Sequence, residues 1–164
     1  MNLNQFDSLL PPQMAERAAE IGVGKVTKDP MKSFLLAISA GIHIGIAFVF
    51  YTIVTTGAGD LPWGLTRLLG GLAFSLGLIL VVVTGGELFT SSVLTLVARA
   101  SGKITWKMLM KNWAVVYSGN LIGALLLVVC MLLTKQYMFD GGQVGLNAMA
   151  ISQHKLHHSF VSAV

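Results

Sequence analysis

Charge is scarce in this sequence. Asp, Glu, Lys and Arg make up 11% of its 164 residues, against about 25% in an ordinary soluble domain. With 54% hydrophobic residues and a mean hydropathy of +0.74, the chain reads as a membrane protein. Cysteine is nearly absent as well. The lone Cys130 excludes an intrachain disulfide and, lying in an apolar run, is expected to be a small buried hydrophobe. A nucleophile elbow, a phosphate-binding loop and a metal-ligand set are all missing, so neither an enzyme nor a cofactor is expected. No continuous apolar core precedes the first long run, because Asp7, Glu16, Glu20 and Asp29 interrupt it; a cleavable signal peptide is therefore not expected.

What the chain does have is apolar runs long enough to cross a bilayer. Spans are predicted near residues 33–58, 68–98 and 108–135, with the start of a fourth after 156. They divide the chain into an amino-terminal segment, 1–30, and a transmembrane domain, 31–164. Basic residues cluster before the first span (Arg17, Lys25, Lys28, Lys32) and between the second and third (Arg99, Lys103, Lys107, Lys111), while Arg67 stands alone between the first and second. The positive-inside rule places the amino terminus and the 99–111 loop in the cytoplasm. The same bias accounts for the net charge of +4, so no nucleic-acid partner is implied. Trp63, Trp106, Trp113 and Tyr137 fall near the ends of the runs, as interfacial anchors do.

The second span is too long. Residues 68–98 would make a helix of roughly 46 Å, beyond a hydrocarbon core of about 30 Å. Within it lies Thr84-Gly85-Gly86-Glu87-Leu88-Phe89-Thr90, preceded by Val81, Val82 and Val83, a stretch of weak helix formers. A break at 83–89 follows. Irregular backbone at membrane depth is tolerated where protein or a water-filled cavity surrounds it. A second helical piece starting there would present unpaired amides and a positive dipole end, suited to a small monovalent anion. Thr90 offers a hydroxyl, while Leu88, Phe89, Phe74 and Leu78 are candidates for apolar constrictions or for ordinary core. Glu87 would repel an anion if it faced the path, so it is expected to cap the backbone of the break, where Thr84-x-x-Glu87 has capping-box spacing.

Other features are less specific. Ala37, Gly41 and Gly45 in the first span, and Gly119 and Gly123 around Asn120 in the third, form small ridges for close helix packing. His43, near the first ridge, is expected to be neutral and hydrogen-bonded. Residues 11–22 begin with Pro and end with Gly, and Met14, Ala18 and Ile21 share a face. They suit an amphipathic helix lying on the membrane or covering the bundle, or a lid over a cytoplasmic pore mouth whose gating residues would include Met14, Glu16, Arg17 and Ile21. In His154-Lys155-Leu156-His157-His158, the histidines lack companions for a metal site; with Lys155 they form either a solvated cluster or an anion-concentrating one responsive to pH near about 6 to 7.

Three motifs together carry a resemblance. Gly-Gly-Glu-Leu-Phe-Thr at 85–90, Asn112-Trp113 with Tyr117-x-Gly119-Asn120-Leu121-x-Gly123, and His154-Lys155-x-His157-His158 resemble the formate/nitrite transporter family. Phe6-Asp7-x-Leu9-Leu10-Pro11 and Ile46-Ala47-Phe48-Val49-Phe50-Tyr51 resemble its formate channels in particular. The resemblance implies an all-α, aquaporin-like bundle with a broken second transmembrane helix, of which this chain holds about the first half. It also implies a homopentamer in a bacterial cytoplasmic membrane, with a pore in each subunit for formate or a related small anion. By the same resemblance, Leu78, Leu88 and Phe89 match a cytoplasmic constriction and Phe74 an outer one. Thr90 and Lys155 would serve anion selectivity, and the 11–22 helix pH-dependent gating. A nitrite or hydrosulfide channel of the same family is the nearest alternative. A neutral-solute channel is disfavoured, because no Asn-Pro-Ala triplet occurs. Members of the family are nearly twice as long, so the chain is expected to be a portion of a longer product.

Overall fold

The structure is a computed structural model and describes residues 10–156. Its elements are helices: α1 (Pro11–Thr27), α2 (Pro30–Thr55), α3 (Trp63–Thr84), α4 (Leu94–Ala100), α5 (Trp106–Leu133) and α6 (Gln143–Leu156), with short 3-10 turns between them. Local chemistry sets the boundaries. Pro12 and Pro30 stand in the first turns of α1 and α2, where a missing N–H costs nothing. The Asp29 carboxylate accepts from the Lys32 amide at 3.1 Å, and Thr105 Oγ1 accepts from Met108 at 3.3 Å to start α5. Gly85 ends α3 at φ +65°, a backbone state that costs glycine little.

Among the described residues, three helices are long and apolar enough to cross a membrane: α2, α3 and α5, with mean hydropathies of 2.1, 2.1 and 2.2. α2 and α5 lie within three residues of the runs read at 33–58 and 108–135, whereas α3 starts before residue 68 and stops at Thr84, inside the run read to 98. α2 lies between the other two and packs against both. The small ridges explain how closely it does so. A Cβ added to Gly41 would strike the Asn120 carbonyl, and one added to Gly123 would strike the Ile38 carbonyl, so α2 and α5 cross nearly backbone to backbone. On the other side, Gly77 of α3 faces Ala47 and the His43 carbonyl.

α6 was not foreseen. Its described part, 14 residues, is roughly 21 Å long. It packs on the turn after α5 and on α2, where Asn147 Nδ2 donates to the Thr52 carbonyl, Thr55 Oγ1 and Thr56 Oγ1 at 2.9, 3.0 and 3.2 Å. The predicted start of a fourth span lies outside the described residues.

Two placements differ from expectation. Cys130 is exposed, because the Leu125–Leu133 end of α5 presents Leu126, Val129 and Leu133 outward with no helix among the described residues covering them. His43 is half-buried, and its Nδ1 meets no hydrogen-bond partner among the described residues.

Candidate functional site

The overlong span is broken where the sequence placed the break. α3 stops at Thr84, residues 85–89 are irregular, and the chain resumes as a 3-10 turn, Thr90–Val93, that runs into α4. Gly86 donates to the Val81 carbonyl at 2.8 Å, closing the end of α3. Three further backbone groups of the break are secured from outside it. The Glu87 amide donates to the Leu36 carbonyl at 3.3 Å, the Phe89 amide to Asn120 Oδ1 at 2.9 Å, and the Glu87 carbonyl accepts from Asn120 Nδ2 at 2.8 Å. Asn120 also donates to the Ala37 carbonyl at 2.8 Å, so one side chain ties α2, α5 and the break together. The sequence reading treated Asn120 only as part of a packing ridge.

The amides of the second piece are less available than expected. Ser91 and Ser92 donate back to the Leu88 carbonyl at 3.1 and 3.2 Å, and Phe89 is taken by Asn120. A 3-10 start closes on itself sooner than an α-helical one, which is why these donors do not point freely into the membrane. Thr90 remains exposed at the head of the piece.

Glu87 does not cap the break. Its side chain is buried and forms ion pairs with Lys25 and Lys28 of α1, 62 and 59 residues away in sequence. Thr84 Oγ1 turns back to the Leu80 carbonyl at 2.8 Å, so no capping box forms. Burying a carboxylate is tolerable here because two ammonium groups meet it. Lys25 also donates to Ser91 Oγ at 3.1 Å, and its carbonyl accepts from Asn112 Nδ2 at 3.2 Å. The negative charge that would have opposed an anion is thereby neutralised from the α1 side.

α1 docks through its small residues. Ala19 and Gly22 are buried, with Val23 and Val26 over a core of Ala98, Ile104 and Leu109, whereas Met14 and Ile21 are exposed. Glu16 and Arg17 are exposed too, and the Arg17–Glu20 pair at 2.9 Å is a surface contact worth little. Gly22 sits so close to α4 that an added Cβ would lie 2.5 Å from the Leu94 carbonyl. Replacing Gly22 with Val is therefore expected to lift α1 from α4 and speed tryptic cleavage at Arg17 by at least tenfold. Unchanged cleavage kinetics would contradict this packing.

The apolar candidates divide into two groups. Phe89 is held edge-on by Trp113 and Tyr117 of α5, each ring centroid 5.6 Å away, and Leu88 beside it is half-buried. Trp113 is thus a support for the break and not an interfacial anchor; its Nε1 donates to the Ser92 carbonyl and to Thr95 Oγ1 at 3.2 and 3.0 Å. Phe74 packs edge-on against Phe48 at 4.9 Å, and Leu78, one turn further along α3, is exposed. His154 is exposed on α6; the Lys155 side chain, His157 and His158 lie outside the described residues.

The sequence profile of the formate/nitrite transporters matches residues 12–164. This chain belongs to the formate/nitrite transporter family. Among its relatives in that family, the Escherichia coli K12 formate channel FocA is 58% identical over 98% of this chain and 56% of its own length. The Haemophilus influenzae FocA is 47% identical over 95% of this chain and 55% of its own. A solved pentameric formate channel with formate bound superposes with a TM-score of 0.77 at 76% identity, covering 81% of this chain and 52% of that one. The chain thus spans about half the length of the curated family relatives it matches.

Proposed function

We propose that this chain forms part of a membrane channel for formate and similar small monovalent anions, assembled as a homopentamer in a bacterial cytoplasmic membrane with its amino terminus inside. The observation that carries the reading is the broken span. A backbone interruption braced by α1, α2 and α5, with its carboxylate neutralised, is a place where an anion can pass mid-membrane without meeting an uncompensated charge. The names of the relatives support formate as the anion.

In this reading Leu78, Leu88 and Phe89 make the constriction on the cytoplasmic side and Phe74 the one towards the outside. Thr90 donates to the anion between them, and Lys155 with His154, His157 and His158 attracts anions from the outer side. α1 is the gating element, acting through Lys25 and Lys28 on Glu87, which lies beside the constriction. Its exposed residues, Met14, Glu16, Arg17 and Ile21, face a cytoplasmic partner surface or solvent.

Stopped-flow light scattering on proteoliposomes tests the proposal. Formate is expected to equilibrate faster than glycerol, and Thr90→Ala to narrow the formate preference by about threefold to tenfold, the worth of one hydrogen bond. Equal rates for formate and glycerol, or no flux above empty liposomes, would overturn the reading. Faster nitrite or hydrosulfide than formate would replace the solute within the same family.

A further inference from the structure

The structure points to Arg67 as an anion-recruiting site at the outer mouth, one that draws small carboxylates and oxyanions toward Phe74. This inference rests on the channel reading above. Arg67, Gly71, Phe74 and Leu78 recur at intervals of four, three and four residues, which places them on one face of α3. If Phe74 and Leu78 line the path, Arg67 stands on the same line, about 10 Å outward from Phe74. That separation is close to the Debye length of about 8 Å at physiological salt, so an anion meets this charge before it meets the apolar ring.

The residue is held ready. Arg67 Nη1 donates to Tyr51 Oη at 2.6 Å, and the guanidinium lies over the Trp63 ring at 5.4 Å. Tyr51 is itself fixed, because its ring abuts Gly70 so closely that an added Cβ would lie 2.6 Å from it. Neither partner neutralises the charge: a phenol accepts one hydrogen bond and an indole face offers a quadrupole. Among the side chains the structure describes, no carboxylate pairs with Arg67. Several of its five donors are left for a ligand, in a fork that suits a carboxylate.

The guanidinium opens onto a cavity of about 520 Å³, lined also by Phe48, Tyr51, Gly71, Phe74 and His154. Gly71 leaves that wall bare, since a Cβ there would meet nothing within 4 Å. The room is ample for a partly hydrated small anion. Apolar walls of Phe48 and Phe74 concentrate the field of the Arg67 guanidinium. Loose capture at the mouth is the result, with selectivity left to the constrictions beyond.

Proteoliposomes carrying wild type, Arg67→Gln or Arg67→Lys provide the test. The Gln variant is expected to raise the half-saturating formate concentration about threefold to fivefold with maximal flux retained, and to lose much of the salt dependence; the Lys variant keeps most of that dependence. Unchanged half-saturation in Arg67→Gln would overturn the site, and so would a fall in maximal flux alone, which marks a structural role. A second readout needs no transport. In a Trp106→Phe background, iodide quenching of tryptophan fluorescence should fall at least twofold in Arg67→Gln while acrylamide quenching holds, because Trp63 lies beneath the charge. Equal iodide quenching would refute anion recruitment. A wild-type chain that carries no formate would defeat the channel reading instead, with the quenching result still deciding this one.

Discussion

Replacing Lys25 and Lys28 together with Ala is expected to cost about 3–5 kcal/mol and to release α1 from the bundle, the penalty for stranding a buried charge. Glu87 would then be left in protein with its carboxylate unpaired. The single variants should differ. The Lys25 side chain is 13% exposed and also reaches Ser91, whereas that of Lys28 is 31% exposed and partly screened by water, so Lys25→Ala should cost more. Adding Glu87→Leu to the double variant removes the stranded charge and should restore much of the stability, while α1 stays loosely held. Thermal unfolding in detergent gives the stabilities and tryptic cleavage at Arg17 the release of α1. Full wild-type stability in the double lysine variant would contradict the pairing.

Asn120→Leu is expected to collapse the break. The side chain satisfies the Phe89 amide and the carbonyls of Glu87 and Ala37, three backbone groups at membrane depth. At about 1–3 kcal/mol for each group left unpaired, the loss outweighs the apolar area that Leu would add. Formate flux should drop at least tenfold while circular dichroism still reports a helical protein, because α2, α3 and α5 keep their own backbone bonds. Asp at the same position accepts but cannot donate the two Nδ2 bonds, so it should fail as well. Wild-type flux and melting temperature in Asn120→Leu would show that the break is held in some other way.

The spans and the break were legible because their signals are local. A run of apolar residues, a Gly-Gly pair and weak helix formers sit within a single window around Val81 to Phe89, and the αL turn at Gly85 falls there. The clasp on Glu87 was not legible, since Lys25 and Lys28 lie some 60 residues away and look like ordinary positive-inside charges. Trp113 misled for a related reason: its position near the end of an apolar run resembles an anchor, and its partners Ser92 and Thr95 carry no pattern that points to an indole. The docking face of α1 was not legible, because the small residues Ala19 and Gly22 that meet α4 carry no hydrophobic signal, whereas Met14 and Ile21 stay exposed. Close packing on α4 favours the small ones. α6 escaped notice because its described residues, 143–156, mix polar and apolar side chains without a strongly amphipathic pattern.

Of the site residues, Leu88, Phe89 and Thr90 adjoin in the sequence of the break, where Phe89 packs against Trp113 and Tyr117 of α5. Phe74 and Leu78 follow from helical spacing along α3. On the proposed function, formate passes through this break. The decisive experiment places Leu88→Cys in a Cys130→Ser background and measures formate flux into proteoliposomes before and after a methanethiosulfonate reagent. Normal flux before treatment and loss of at least nine-tenths of it after labelling are expected. Complete labelling of the cysteine with flux undiminished would contradict the claim and place the path elsewhere.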